Sequence, residues 1–132
     1  MTDPNLVSEI RKEAMKLLPQ DNNFIHDVKE FERANGTYYE GKPRRLPDPM
    51  NAFLIKHMKR DLDGWMAANY AKNPDLELFA LVKLLGLAIT VAVRHGWDLE
   101  EAWKRAQAHH KEVMHGEVKP TSNMPDLGDL VR

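Results

Sequence analysis

The sequence predicts an all-α fold: a bundle of four to five helices packed around one buried, apolar helix. Three observations point there. Apolar residues recur at intervals of three and four along most of the chain, and no segment alternates with the period of a strand. Asp-Pro and Asn-Pro pairs, together with single glycines, punctuate the chain at helical lengths. Residues 78–93, LFALVKLLGLAITVAV, hold Lys83 as their only charge and Thr90 as their only other polar side chain, in a chain that is 30% charged. A helix apolar on every face must be covered on every side.

The elements follow in order. Asp3-Pro4 opens the first helix, an acidic cap followed by a proline whose missing N–H costs nothing at that position. Leu6, Val7, Ile10, Ala14, Leu17 and Leu18 keep helical spacing until Pro19 and the polar run 20–23 stop it. A second helix places Phe24, Ile25, Val28 and Phe31 on one side and ends at Asn35-Gly36, where glycine accepts the left-handed conformation. Residues 36–48, with Gly41, Pro43 and Pro47, read as a loop. Asp48-Pro49 repeats the capping signature and opens a third helix with Phe53, Leu54, Met58, Leu62, Trp65, Met66 and Tyr70. Asn73-Pro74 breaks it and starts the apolar fourth helix, which runs to Gly96 and forms an antiparallel hairpin with the third. Asp98 with Glu101 opens a fifth, whose Trp103, Ala106, His110 and Met114 line one face before Gly116.

The length suits one domain, residues 1–116, with 117–132 as an extended C-terminal tail. A net charge of −1 supplies no global field for nucleic acid or an anionic membrane. The absence of cysteine excludes disulfides, thiolate zinc sites and a cysteine nucleophile, and the N-terminus lacks an apolar signal region, so a cytoplasmic location is expected. The apolar run falls short of the ~20 residues a bilayer span requires and carries Lys83 inside it, so it reads as a core helix and not a membrane segment. It exceeds what three amphipathic neighbours of a small domain cover, which predicts a homo-oligomer, dimer or tetramer, assembled through the fourth helix.

Three stretches carry a likeness. Val28-Lys29-Glu30-Phe31 precedes Gly36. Leu46-Pro47-Asp48-Pro49 leads into a helix containing Asp61-Leu62-Asp63. Gly96-Trp97-Asp98-Leu99-Glu100-Glu101-Ala102-Trp103 forms the turn after the apolar helix. In this order and spacing, residues 24 to 115 resemble the MazG-like branch of the all-α nucleoside triphosphate pyrophosphohydrolases, in particular short phage and bacterial members. The resemblance implies a MazG-like bundle and a magnesium-dependent release of pyrophosphate. That reaction uses a Glu-Glu-x-x-Glu helix beside a Glu-x-x-Asp helix to hold the metal against a triphosphate.

Laid over those motifs, the acids of the third helix become Arg60, Asp61 and Gly64. Those of the fourth become Leu76 and Phe79, and a further aspartate becomes Lys83. Only Asp61 is retained. Asp63 cannot assist it on one metal, because two residues is about 200° of helix. The chain therefore reads as a degenerate, non-catalytic member, with no metal site and no cofactor expected. The alternative is an active pyrophosphohydrolase that uses magnesium, Asp61 and acids placed elsewhere.

Lys56, Lys59 and Arg60 share a helical face that Arg44 and Arg45 of the preceding loop could join, making an anion site for phosphate, nucleotide or an acidic partner. The plainer account is a solvated face paired with Asp61 and Asp63. An unpaired ammonium is costly to bury, so Lys83 is expected to pair with Asp61 across the hairpin, an interhelical salt bridge in place of a metal bridge. His109, His110, Met114 and His115 do not converge on one helical face and read as structural. In the resembled family a phosphate-holding asparagine falls near His110. Trp65, Trp97 and Trp103 read as core or interface anchors, and no continuous basic stripe supports nucleic-acid binding.

Overall fold

The computed structural model describes residues 3–17 (for 14–17 the backbone alone), 23–116 and 124–132. Within them lie six helices and no strand: α1 (Pro4–Leu17), α2 (Phe24–Ala34), α3 (Asp48–Tyr70), α4 (Pro74–His95), α5 (Leu99–Met114) and α6 (Gly128–Val131). The expected roles of the Ala14, Leu17 and Leu18 side chains, the break at 19–22 and the tail around Pro120 lie outside the described residues.

Cap chemistry sets most of the helix starts. The Asn5 N–H donates to Asp3 Oδ1 at 2.9 Å, His26 N–H to Asn23 Oδ1 at 3.0 Å, Leu76 N–H to Asn73 Oδ1 at 3.3 Å and Glu101 N–H to Asp98 Oδ1 at 3.0 Å. α3 departs from the expectation. Its cap position is Pro47, without a side-chain bond, and Asp48 lies one residue inside the helix, where its charge favours the dipole. Gly36, Gly96 and Gly116 follow α2, α4 and α5 with φ near +72°, the left-handed stop. At Gly96 the requirement is double, since a Cβ there would lie 2.8 Å from the Tyr39 ring.

α3 and α4 pack as an antiparallel hairpin around the turn at Ala71 and Lys72. Three side-chain contacts fix its register: Asp61 with Lys83 at 3.2 Å, Asn69 with Glu77 at 2.8 Å, and Met50 with Arg94 at 3.5 Å. α2 lies against α4, α5 touches α4 lightly, and α1 makes at most marginal contact with the rest. The fully buried apolar residues are Leu46, Leu54, Ala68, Ala80, Ile89, Ala92 and Val93. Leu54, Asp61 and Ala68 repeat every seven positions, so one stripe of α3 faces α4 along its length.

The expectation of a uniformly buried apolar helix needs correction. The second half of α4 is covered, but Leu78, Phe79, Leu81, Val82 and Leu85 of the first half are exposed within the chain. α2 and the opening of α5 flank only the far end of the helix. Two of the periodic sets are not turned to the core. Phe24 and Phe31 point outward on α2, where Glu32 is the buried residue, and Trp103, Ala106, His110 and Met114 form the outer side of α5. The expected extended tail contains one helical turn, α6. Arg105 holds it, donating to Asp129 Oδ1 at 2.6 Å, to Asp129 Oδ2 at 3.0 Å and to the Asp126 carbonyl at 2.9 Å.

Candidate functional site

A cleft of about 390 Å³ opens between α2, α3 and α4. Asp61 and Lys83 meet there because their helices are antiparallel partners, and the period-seven stripe of α3 turns Asp61 inward. Its side chain is 2% exposed, and the Lys83 ammonium lies 3.2 Å from Oδ1. Arg60 reaches the same oxygen, with Nε and Nη2 both at 3.4 Å. Two cations thus converge on one carboxylate oxygen, and both remain open to solvent, Lys83 at 41% and Arg60 at 63%. Lys83 does not run through the core. Its ammonium reaches the cleft mouth and stands 5.0 Å from the centre of the exposed Phe79 ring.

The walls are largely apolar. Val28 and Phe31 come from α2, Leu87 and Gly86 from α4. A Cβ at Gly86 would meet nothing within 4 Å, so space is open beside it. The Thr90 hydroxyl is turned back on its own helix, donating to the Gly86 carbonyl at 2.8 Å. Asp27 adds one acid to the lining. Among the described residues no three metal-ligating side chains cluster. The lining can receive an anion at Arg60 and Lys83 with an apolar body against Phe31 and Leu87.

The other basic residues singled out in the sequence do not gather at this cleft. Arg44 is bound at the end of α4, its Nε donating to the Arg94 carbonyl at 2.9 Å and its guanidinium lying 3.6 Å over the Tyr39 ring. A cation at a helix C-terminus is favourable, which accounts for its place. Arg45 extends 3.6 Å from Asp48 on the surface. Lys56 and Lys59 are exposed on α3 and form no ion pair among the described residues. His109 is half-buried, and His110, Met114 and His115 are exposed.

One polar centre escaped sequence reasoning. Glu32 is 1% exposed, and Arg94 closes on it with Nε to Oε2 at 3.0 Å and Nη2 to Oε1 at 3.2 Å. The Thr37 hydroxyl also donates to Oε2. This forked pair ties α2 and its following loop to the end of α4, and so sets the α2 wall of the cleft. The partners are 62 residues apart. The only local signal was a charged residue at each site, Glu32 beside the apolar side of α2 and Arg94 at the end of the apolar α4.

A second cleft, of about 350 Å³, lies at the other side of α2 and is lined by Lys29, Tyr38, Trp97 and Glu100 among others. The Trp97 ring stacks on His95 at 4.0 Å, while its Nε1 is buried with no acceptor among the described residues. No protein-family model matches the chain, and no curated protein is similar to it at a significant level.

Proposed function

We propose that the chain is a degenerate MazG-like module that binds phosphate-bearing anions without hydrolysing them and works as a homo-oligomer. The observation that carries the reading is the convergence of Arg60 and Lys83 on one buried oxygen of Asp61. One carboxylate neutralises one of the two cations. Asp27 in the lining offsets the other, so what faces the cleft is the solvent-open donor groups of Arg60 and Lys83 and not a net positive charge. A phosphate arriving there meets a guanidinium fork and an ammonium, the donors that bind such oxygens without a metal. A divalent ion would first have to displace both cations from the Asp61 oxygen. Lys56 and Lys59, exposed on the same helix, add to the local field; Arg44 and Arg45 are engaged elsewhere.

The test is calorimetric titration of the full chain with pyrophosphate in the presence of EDTA. The expected result is metal-independent binding that falls at least tenfold when Arg60→Gln and Lys83→Met are combined. The alternative, an active pyrophosphohydrolase, predicts the opposite pattern. Nucleoside triphosphates would release pyrophosphate only with magnesium, and Asp61→Ala would abolish that release. Either of those results would remove the binding-module reading.

A further inference from the structure

The cleft between α2, α3 and α4 sorts its lining by chemistry. The hairpin side carries the donors, the Arg60 guanidinium and the Lys83 ammonium, both open to solvent and both resting on the buried Asp61 carboxylate. The α2 side carries Asp27, an exposed carboxylate in the first turn of that helix. Asp27 forms no ion pair among the described residues, so it stands clear of Arg60 and Lys83 although all three border one cleft. The charges of the lining cancel, Arg60 and Lys83 against Asp61 and Asp27.

Between these two poles the surface is apolar. Val28 and Phe31 come from α2 and Leu87 from α4, and the Phe31 ring is 66% exposed. Among the described residues the one neutral polar side chain of the lining is Thr90, and its hydroxyl is already committed to the Gly86 carbonyl at 2.8 Å. A nucleobase edge or a sugar calls for amides and hydroxyls along its length, and the lining has none free. A polyphosphate brings several negative charges to a site whose own charges cancel. The lining complements a body that is anionic at one end, cationic at the other and apolar between.

Gly86 marks where that body lies. Lys83, Gly86, Leu87 and Thr90 recur at i, i+3, i+4 and i+7, so they share one face of α4 over about 10 Å. Glycine is unfavourable inside a helix relative to alanine unless something must approach the backbone closely. Nothing in the described chain does so, since a Cβ at Gly86 would meet no atom within 4 Å. Its backbone has no positive φ to require glycine either. The open space borders the cleft, one turn from Lys83.

We infer that the cleft takes an aminoalkyl phosphate: the phosphate on Arg60 and Lys83, the alkyl body over Gly86 against Phe31 and Leu87, and the ammonium on Asp27. The inference rests on the anion-binding reading above and narrows its ligand to one class. A cleft of about 390 Å³ holds the whole of such a molecule, which favours a free compound over a lipid headgroup.

Calorimetric titration of the full chain in EDTA tests it, with aminoalkyl phosphates from aminoethyl to aminohexyl and the alkyl phosphates of the same lengths. The best aminoalkyl phosphate should bind at least fivefold more tightly than its alkyl counterpart. Asp27→Asn should remove that preference while alkyl phosphate affinity holds or rises. Gly86→Ala should weaken the best ligand several-fold and raise the thermal midpoint, because alanine is the better helix former and its methyl meets nothing in the described chain. Equal affinity for the two series overturns the inference, as does a preference that survives Asp27→Asn or an affinity untouched by Gly86→Ala. Binding confined to vesicles containing phosphatidylethanolamine overturns it in favour of a lipid surface. If pyrophosphate binds through Arg60 and Lys83 but the amine adds nothing, the anion site stands and this ligand class is wrong. If no phosphate binds, both fail.

Discussion

The first and second halves of α4 contain the same kinds of residue and have opposite surroundings. Ile89, Ala92, Val93 and His95 are buried, whereas Leu78, Phe79, Leu81, Val82 and Leu85 are exposed. Composition does not separate them. Neighbours do: α2 and the turn into α5 cover the second half. The Glu32–Arg94 pair locks that cover in place, and the Arg44 backbone and side chain satisfy the last carbonyls of the helix. Among the described residues the first half has α3 on one side and little else. An apolar run therefore records how much cover is needed in total, and the described residues supply only part of it.

Breaking the covered half should have the largest effect. Arg94→Ala leaves the Glu32 carboxylate buried with only the Thr37 hydroxyl beside it, and should destabilise the chain by about 3–5 kcal/mol in urea unfolding. Ile89→Ala opens a cavity in the buried half of α4 and should cost about 2–4 kcal/mol in the same measurement. Leu81→Ala in the open half is the matched control. It should change the stability of the dilute protomer by less than about 0.5 kcal/mol. An equal loss at Leu81 and Ile89 would show that the two halves do not differ as described.

Lys83 stands at the junction of the halves, and its removal should have an intermediate effect. Lys83→Met leaves Arg60 on Asp61, so we expect a loss of about 1–2 kcal/mol in urea unfolding, less than a buried pair broken outright. The smallest effect should be at α6. Hydrogen bonds from the Arg105 guanidinium hold the Asp129 carboxyl below the usual carboxylate range. A carboxyl depressed on docking favours the docked tail above its ordinary pKa, and the contribution is lost as pH falls through the depressed value. Protection of the Leu130 amide relative to its intrinsic exchange rate at each pH should therefore be present at neutral pH and fall in acid, while Asp129→Asn should lower it throughout. Neither change should alter the exchange of α4.

Much of the fold could be read from the sequence because its determinants are local. Asp3, Asn73 and Asp98 each bond an amide two or three residues away, and Gly96 needs only its own backbone angle to end a helix. Asp61 and Lys83 could be assigned to facing helices because a short turn between two long helices leaves them little alternative. What depended on distant neighbours was not legible. Glu32 and Phe31 are adjacent, and periodicity groups only Phe31 with the apolar side of α2. A forked arginine 62 residues away buries Glu32 instead, because a paired carboxylate with its bonds satisfied can be buried where a phenylalanine is left outside. Arg44 looked like a member of a basic patch until the free carbonyls of α4 claimed it. The outward side of α5 and the single turn of α6 likewise depend on contacts no sequence period encodes.

The most direct test compares the two halves of α4 in one experiment, by hydrogen exchange of the full chain over a hundredfold dilution series. If a second copy covers the first half, as proposed, it protects those amides only while the oligomer persists. Protection around residues 78–85 should therefore fall on dilution, while that around residues 89–95, held by α2 and the Glu32–Arg94 pair, stays constant. Concentration-independent exchange along the whole of α4 would contradict this account.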